Sequence, residues 1–283
     1  MNRTIKRLIE GTPTADGSVH LVSVLSRHTM HDTDPLLLLD AFDSTNPKDY
    51  EGGFPMHPHR GIETISYVVE GTMVHKDSLG NEDAVSDGGV QWMTAGSGIL
   101  HEEMMPAVPH LYGVQLWLNL AKKDKMAPPD YVHIASESIP EVSLDQGKLR
   151  VLAGSYDGQQ GFQSHYQPVQ YYDLQLDPQG TFTLPVQSGD SITLFALRGA
   201  VQVENETLPH FHAAALTQGD QIHFANPSEE SISVLVFMSE RIDEPIAWRP
   251  GPIVMNTEEE LDIAYREVEE GTFLKDNMPM HRS

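Results

Sequence analysis

The sequence contains no cysteine. Disulfides, thiolate metal sites and cysteine nucleophiles are therefore excluded, and any bound metal has to be held by histidine and carboxylate. Basic residues are scarce as well: 18 Lys and Arg stand against 41 Asp and Glu, for a net charge of −23. That balance favours solubility and repels a polyphosphate backbone, so direct nucleic-acid binding is not expected. A solvated acidic surface accounts for the charge without any basic partner. No apolar run approaches the roughly 20 residues that span a bilayer. The opening Met1-Asn-Arg-Thr-Ile-Lys-Arg7 is followed by no apolar h-region. Neither a membrane span nor secretion is expected, and the cytoplasm is the default compartment.

What the chain does have is histidine, 14 in 283 residues. Chance alone supplies about 0.7 His-x-His pair in such a chain, so the motif by itself is weak. His210-Phe-His212 has no acidic or histidine partner at strand spacing and reads as a loop or surface feature. His57-Pro-His59 has a different context: Gly52-Gly53-Phe-Pro precedes it, and His101-Glu-Glu103 returns after the glycine-rich Ala95-Gly-Ser-Gly98. Side chains at i and i+2 of an extended segment share a face, so each pair can point at one place. Three imidazoles with one carboxylate make a divalent-metal site, and the hard oxygen ligand beside open positions favours non-haem Fe(II). Spacing leaves the carboxylate open between Glu63 and Glu103, while Glu102 points away from His101. His20, His28, His31, His110 and His133 read as structural or exposed. His75, between the two ligand pairs, is open between lining the pocket and facing solvent.

The rest reads as scaffold. Short apolar stretches such as Val19 to Leu25, Thr64 to Val69 and Leu111 to Leu120 alternate with turns at Glu70-Gly71, Asp87-Gly88-Gly89 and Gly96-Ser97-Gly98, the cadence of an all-β barrel or sandwich. In Leu111 to Leu120 one face, with Val114, Leu116 and Leu118, is expected to be core. The pattern breaks between Ala121 and Asp145, which places a junction between a domain 1–135 and a domain 145–283. A weak repeat matches Tyr67-Val-Val-Glu-Gly71 to Phe195-Ala-Leu-Arg-Gly199, and Gly88-Gly-Val-Gln-Trp-Met to Gly219-Asp-Gln-Ile-His-Phe, so two similar barrels are expected. On those anchors the positions of His57, His59, His101 and Glu103 become Pro185, Gln187, Ile232 and Val234, which predicts one metal site per chain. Thr257-Glu-Glu-Glu260 is a capping box, and Leu261, Ala264, Tyr265 and Val268 form the apolar stripe of a C-terminal helix.

The run Gly53-Phe-Pro-Met-His57-Pro-His59-Arg-Gly-Ile-Glu-Thr-Ile-Ser-Tyr67, with Gln91-Trp-Met-Thr-Ala-Gly-Ser-Gly-Ile-Leu-His101-Glu-Glu103-Met, resembles the signature of the pirin family of the cupin superfamily. Val24-Leu-Ser-Arg27 and Gly251-Pro-Ile-Val-Met-Asn-Thr257 extend the resemblance over nearly the whole chain. It implies a bicupin: two jelly-roll-type β-barrels and a short C-terminal helix, with one metal ion, usually iron, in the N-terminal barrel. It also selects Glu103 over Glu63, so that the ligands are His57, His59, His101 and Glu103. Bacterial members are associated with quercetin 2,3-dioxygenase activity, which implies a flavonol and dioxygen as substrates, cleavage with loss of carbon monoxide, and Glu103 as general base. Animal members imply an alternative, an iron-dependent redox-sensing regulator that acts through a protein partner.

Overall fold

The computed structural model describes residues 1–275; residues 276–283, the end of the expected second domain, lie outside the described residues. The regular structure is dominated by short strands, as the alternation of apolar stretches and turns requires. Two compact units form. One comprises Pro13–Ser23, Leu36–Ser136 and the chain from Ile242; the other comprises Met1–Thr12, Val24–Pro35 and Glu137–Arg241. Both are discontinuous in sequence. The strand Ile5–Glu10 pairs with His212–Leu216 in the second unit, while the helix Glu258–Glu269 belongs to the first.

Each unit is built around two open sheets, a large and a small one, with a two-stranded ribbon beside them. In the first, a seven-stranded sheet runs in the order Asp130–Ile134, Gly89–Thr94, Ile62–Glu70, Leu111–Asn119, Leu36–Ser44, Val19–Leu25, Thr12–Asp16. A four-stranded sheet runs Phe54–His59, Ile99–Met104, Thr72–Asp77, Glu82–Ser86. The expected closed jelly-roll barrels are therefore corrected: both sheets end on edge strands, and the hydrogen-bonded ladder does not run round. Alternating short strands fit a closed barrel and an open two-sheet arrangement equally well, because alternation records which face is buried and not whether the edges meet. All-β architecture, the cupin-like pair of units and the C-terminal helix stand.

The second unit repeats the first strand for strand. Its large sheet runs Ile5–Glu10, His212–Leu216, Ser191–Arg198, Ile232–Ser239, Val169–Leu176, Gly147–Ala153, Glu141–Leu144, and its small sheet Thr181–Pro185, Gln221–Ala225, Val201–Val203, Glu206–Leu208. This order corrects the equivalences drawn from the repeat. Gly219 precedes the counterpart of Ile99–Met104, whereas Gly88 precedes Gly89–Thr94, so the second anchor was displaced by one strand. Ile232 and Val234 lie on the counterpart of Leu111–Asn119. On the counterparts of the two histidine strands, the core-facing residues are Phe182, Leu184, Ile222 and Phe224, the last three fully buried in the unit's apolar core.

The C-terminal helix has the expected capping box, with Thr257 accepting from the Glu260 N–H and Glu260 accepting from the Thr257 N–H. Leu261 and Ala264 are buried against Ala247, Ile253, Met255 and Phe273, while Val268 at the end of the predicted stripe is exposed. Beyond the helix, the chain is fastened to the turns next to the histidine strands by Arg60, which is 2% exposed. Its Nε donates to the Ser97 carbonyl at 2.7 Å, Nη2 to the Phe273 carbonyl at 2.8 Å, and Nη1 lies 2.7 Å from Glu267. The guanidinium also lies over the Phe273 ring, 4.2 Å from its centroid. Gly98 permits the approach: φ is +140°, and a Cβ there would fall 3.0 Å from the Phe273 ring and 3.2 Å from its carbonyl oxygen.

Arg60→Ala removes a buried charge whose partners then stay unpaired. It is expected to destabilise the chain by about 3 kcal/mol in urea unfolding. Arg60→Lys, which lacks the planar fork, is expected to recover only part of that loss.

Candidate metal centre

The small sheet of the first unit sets the histidines. Phe54–His59 is an edge strand beside Ile99–Met104, and edge position is what tolerates Pro55 and Pro58, which cannot donate to a ladder. The pairing places Ile99 opposite His59 and His101 opposite His57, then slips so that Glu103 meets Phe54. The slip puts an extra residue on the proline-bearing strand, a bulge that bends it and re-aims its side chains.

His57, His59 and His101 converge, with one ring nitrogen of each lying within 4.8 Å of the others. His57 Nε2 is 2.9 Å from His59 Nε2 and 3.1 Å from His101 Nε2. His57 Nδ1 is 2.8 Å from the Pro55 carbonyl oxygen. A carbonyl can only accept, so Nδ1 carries the hydrogen and, in the neutral ring, Nε2 presents a lone pair to the cluster. Burial holds both His59 and His101 well below the ordinary imidazole pKa, and the neighbouring histidines push in the same direction. Neutral imidazoles facing one another can hold a metal ion. Two nitrogens bound at about 2.1 Å and at right angles lie about 3.0 Å apart, against about 3.4 Å for a tetrahedral pair. The two spacings from His57 Nε2 fit right angles rather than tetrahedral ones.

Glu103 is buried beside this group but is not one of its three members. Gln91 Nε2 donates to its Oε1, Gln115 Nε2 donates to Oε2 at 2.7 Å, and Ser66 Oγ lies 3.4 Å from Oε1. The three donors come from adjacent strands at one level, since Ser66 pairs with Gln115 on one side and Gln91 on the other. Glu63, the other carboxylate that spacing left open, is on the opposite face. It neighbours Ser66 on Ile62–Glu70 at odd spacing, and its Oε1 accepts from Thr94 at 2.7 Å. Burial pushes Glu63 up to about 7 despite that hydrogen bond. Counting by twos from His59 to Glu63 failed because the chain changes sheet at Arg60-Gly61. Glu102 pairs with Lys76 and is half-buried, pointing away from the cluster.

His75 is wholly buried, and its Nδ1 lies 3.4 Å from His101 Nδ1. Its Nε2 is 2.9 Å from Asp77 Oδ2, and its ring stacks on Tyr131 at 4.1 Å. Burial pushes the Asp77 carboxyl up, but hydrogen bonds from His75 and Asn81 outweigh it and hold the group below its usual value. Trp117 stands edge-on to His59 at 5.1 Å, and Trp248 lies 5.7 Å from Trp117. The other histidines lie apart: His110 bridges Asp43 and Glu70, His133 pairs with Asp83, and His210 meets the Leu197 carbonyl. Sequence reasoning missed Ser66, Gln91, Gln115, Asp77 and Tyr131 as parts of the site. The available signal was Gln115, a polar residue on a strand whose two faces are both buried.

Comparison with known proteins agrees with this architecture. The Pirin family profile matches residues 18–118 and the Pirin C-terminal cupin domain profile matches residues 171–274. A Pseudomonas aeruginosa protein whose name carries a provisional quercetin 2,3-dioxygenase assignment is 39% identical over 279 residues, covering 95% of this chain and 97% of its own. Human pirin is 36% identical over 246 residues, covering 85% and 83% respectively. The crystal structure of a quercetin 2,3-dioxygenase from Acinetobacter baumannii superposes with a TM-score of 0.89 at 32% identity, covering 96% of this chain and 99% of that one. With two family profiles matched in order and a histidine cluster built on two adjacent strands of the first unit, the chain belongs to the pirin family of bicupins.

Proposed function

We propose that the chain is a mononuclear metal dioxygenase, iron(II) being its metal, that cleaves a flavonol such as quercetin with release of carbon monoxide. The observation that carries this reading is the convergence of three imidazole nitrogens, two of them on buried rings held neutral, beside a buried carboxylate. The names of the Acinetobacter and Pseudomonas relatives support the choice of substrate. His57, His59 and His101 would hold the ion, with Glu103 as the carboxylate of the set. When bound, a divalent ion supplies the Lewis acidity that acidifies the flavonol 3-hydroxyl.

The chain's own residues supply the proton acceptor and its orientation. Gln91 and Ser66 meet Glu103 Oε1 while Gln115 alone meets Oε2, so Oε2 keeps a second lone pair for the substrate hydroxyl proton. Held from two sides, the carboxylate does not have to reorient to accept it. Trp117, next to His59, and Trp248 beyond it present aromatic rings against which a flat flavonol can lie.

Protein loaded with Fe(II) and stripped of excess is expected to retain close to one ion per chain, since the second unit fills the equivalent positions with Phe182, Leu184 and Phe224. Metal analysis by mass spectrometry checks this, and two tightly held ions would contradict it. His101→Ala is expected to lose the ion and keep its fold, because the apolar core around Val19, Phe42, Val68 and Val85 does not use the imidazole.

The iron-loaded protein is expected to consume oxygen and release carbon monoxide when quercetin is added, above a free-iron control. Metal binding without turnover would redirect the assignment to an iron-dependent regulator acting on a protein partner.

The carboxylates separate in the same assay. Glu103→Gln is expected to weaken metal retention and to lower turnover by about 10²- to 10⁴-fold. The fold can absorb that change, because Gln91 Oε1 is buried without a hydrogen-bond partner and can turn toward the new amide. Glu63→Gln and Glu102→Gln are expected to leave both quantities nearly unchanged; an empty site in Glu63→Gln with a full one in Glu103→Gln would reverse the assignment.

A further inference from the structure

The metal-facing histidines differ in what holds their far nitrogens. His57 uses a backbone carbonyl, but His101 faces another histidine, and that histidine ends on a carboxylate. His101 Nδ1 to His75 Nδ1 is 3.4 Å, and His75 Nε2 to Asp77 Oδ2 is 2.9 Å. Strand register builds the row: Thr72–Asp77 lies beside Ile99–Met104, with Asp77 opposite His101 and His75 opposite Glu103. His75 is fully buried, and its plane is fixed by stacking on Tyr131 at 12°. Asp77 is fixed by its turn, where Oδ1 accepts from the backbone N–H of Leu79 and Asn81 and Oδ2 from the Asn81 side chain.

We infer that Asp77, acting through His75, sets which nitrogen of His101 carries the hydrogen, and that these two residues are positioning residues for the metal centre. The logic is one of donors and acceptors. A carboxylate only accepts, so His75 Nε2 donates to it. A neutral His75 then has an acceptor at Nδ1, so His101 must donate from its own Nδ1. The His101 Nε2 lone pair is thereby turned toward His57 and His59. Outer partners of this kind orient metal-ligating histidines in general; here a second histidine is inserted in the relay. The inference rests on reading the three imidazoles as metal ligands, but the tautomer itself can be observed in metal-free protein.

Asp77→Asn reverses the relay. The amide oxygen keeps the backbone N–H groups of Leu79 and Asn81, and the amide nitrogen, in the place of Oδ2, meets His75 Nε2 as a donor while the Asn81 side-chain amide turns its oxygen toward it. His75 must then carry its hydrogen on Nδ1, and His101 must accept there and place its own hydrogen on Nε2, facing the cluster. Long-range ¹H–¹⁵N spectra of the metal-free full chain are expected to show His101 as the Nδ1–H tautomer, and as Nε2–H in Asp77→Asn. Zn(II) affinity, measured by chelator competition, is expected to fall about 10- to 100-fold in that variant. His75→Phe keeps the ring on Tyr131 and cuts the relay, so it is expected to show both tautomers and a smaller loss. Added to Asp77→Asn, it is expected to restore affinity toward its own level, which a general structural defect would not do. Should Asp77→Asn fail to fold, His75→Phe carries the test alone. His101 remaining wholly Nδ1–H with unchanged Zn(II) affinity in the variants overturns the inference, whereas a wild-type chain that binds no Zn(II) but shows the Nδ1–H tautomer would overturn the metal reading and leave the relay standing.

Discussion

His57 Nε2 is held about as close to His59 Nε2 and to His101 Nε2 as van der Waals contact allows, with the rings of His59 and His101 buried and kept neutral, and the surroundings of the first unit serve that arrangement. Lone pairs aimed at one another repel, so the set persists only because the backbone leaves the rings nowhere else to point. The bulge on Phe54–His59 turns His57, the Pro55 carbonyl takes its far hydrogen, and the strand pairing of His101 with His57 fixes their separation. Burial does the complementary electrostatic work by disfavouring the imidazolium, which would have no lone pair to offer.

The two sheets of this unit contribute different chemistry. The small sheet carries the histidines, while the large sheet meets Glu103 with a row of polar side chains, Gln115, Ser66 and Gln91, drawn from three adjacent strands. A buried carboxylate is costly unless its oxygens are satisfied, and this row satisfies both. It also explains why the strand Leu111–Asn119, expected to bury one apolar face, is buried on both: Val114, Leu116 and Leu118 face one layer and Gln115 the site.

Much of this was legible in the sequence because it depends on local order. Strand cadence, the capped helix and the shared face of His57 and His59 follow from residue spacing within single elements. What depends on pairing between distant elements was not legible. Closure of the sheets leaves no mark on alternation, the equivalence of Gly88 with Gly219 ignored an intervening strand, and the parity argument for Glu63 ran through a turn between sheets. Ser66, Gln91 and Gln115 are ordinary polar residues on three separate strands, and only the register that aligns them makes them a cradle.

The second unit shows what happens to the same register when the site is absent. The row Gln115, Ser66, Gln91 corresponds there to Val236, Leu194, Ala214, paired in the same way and fully buried. The histidine strands correspond to strands that carry Phe182, Leu184 and Phe224 inward. Polar groups and the partners that satisfied them have been replaced together, which leaves no orphaned donor or acceptor and therefore little penalty. Removing only Glu103 would have left the amide row pointing at nothing, and removing only the row would have left a bare buried carboxylate. Glu103 and the residues that cradle it thus form one interdependent set, present in the first unit and absent from the second, and the β scaffold encloses either version.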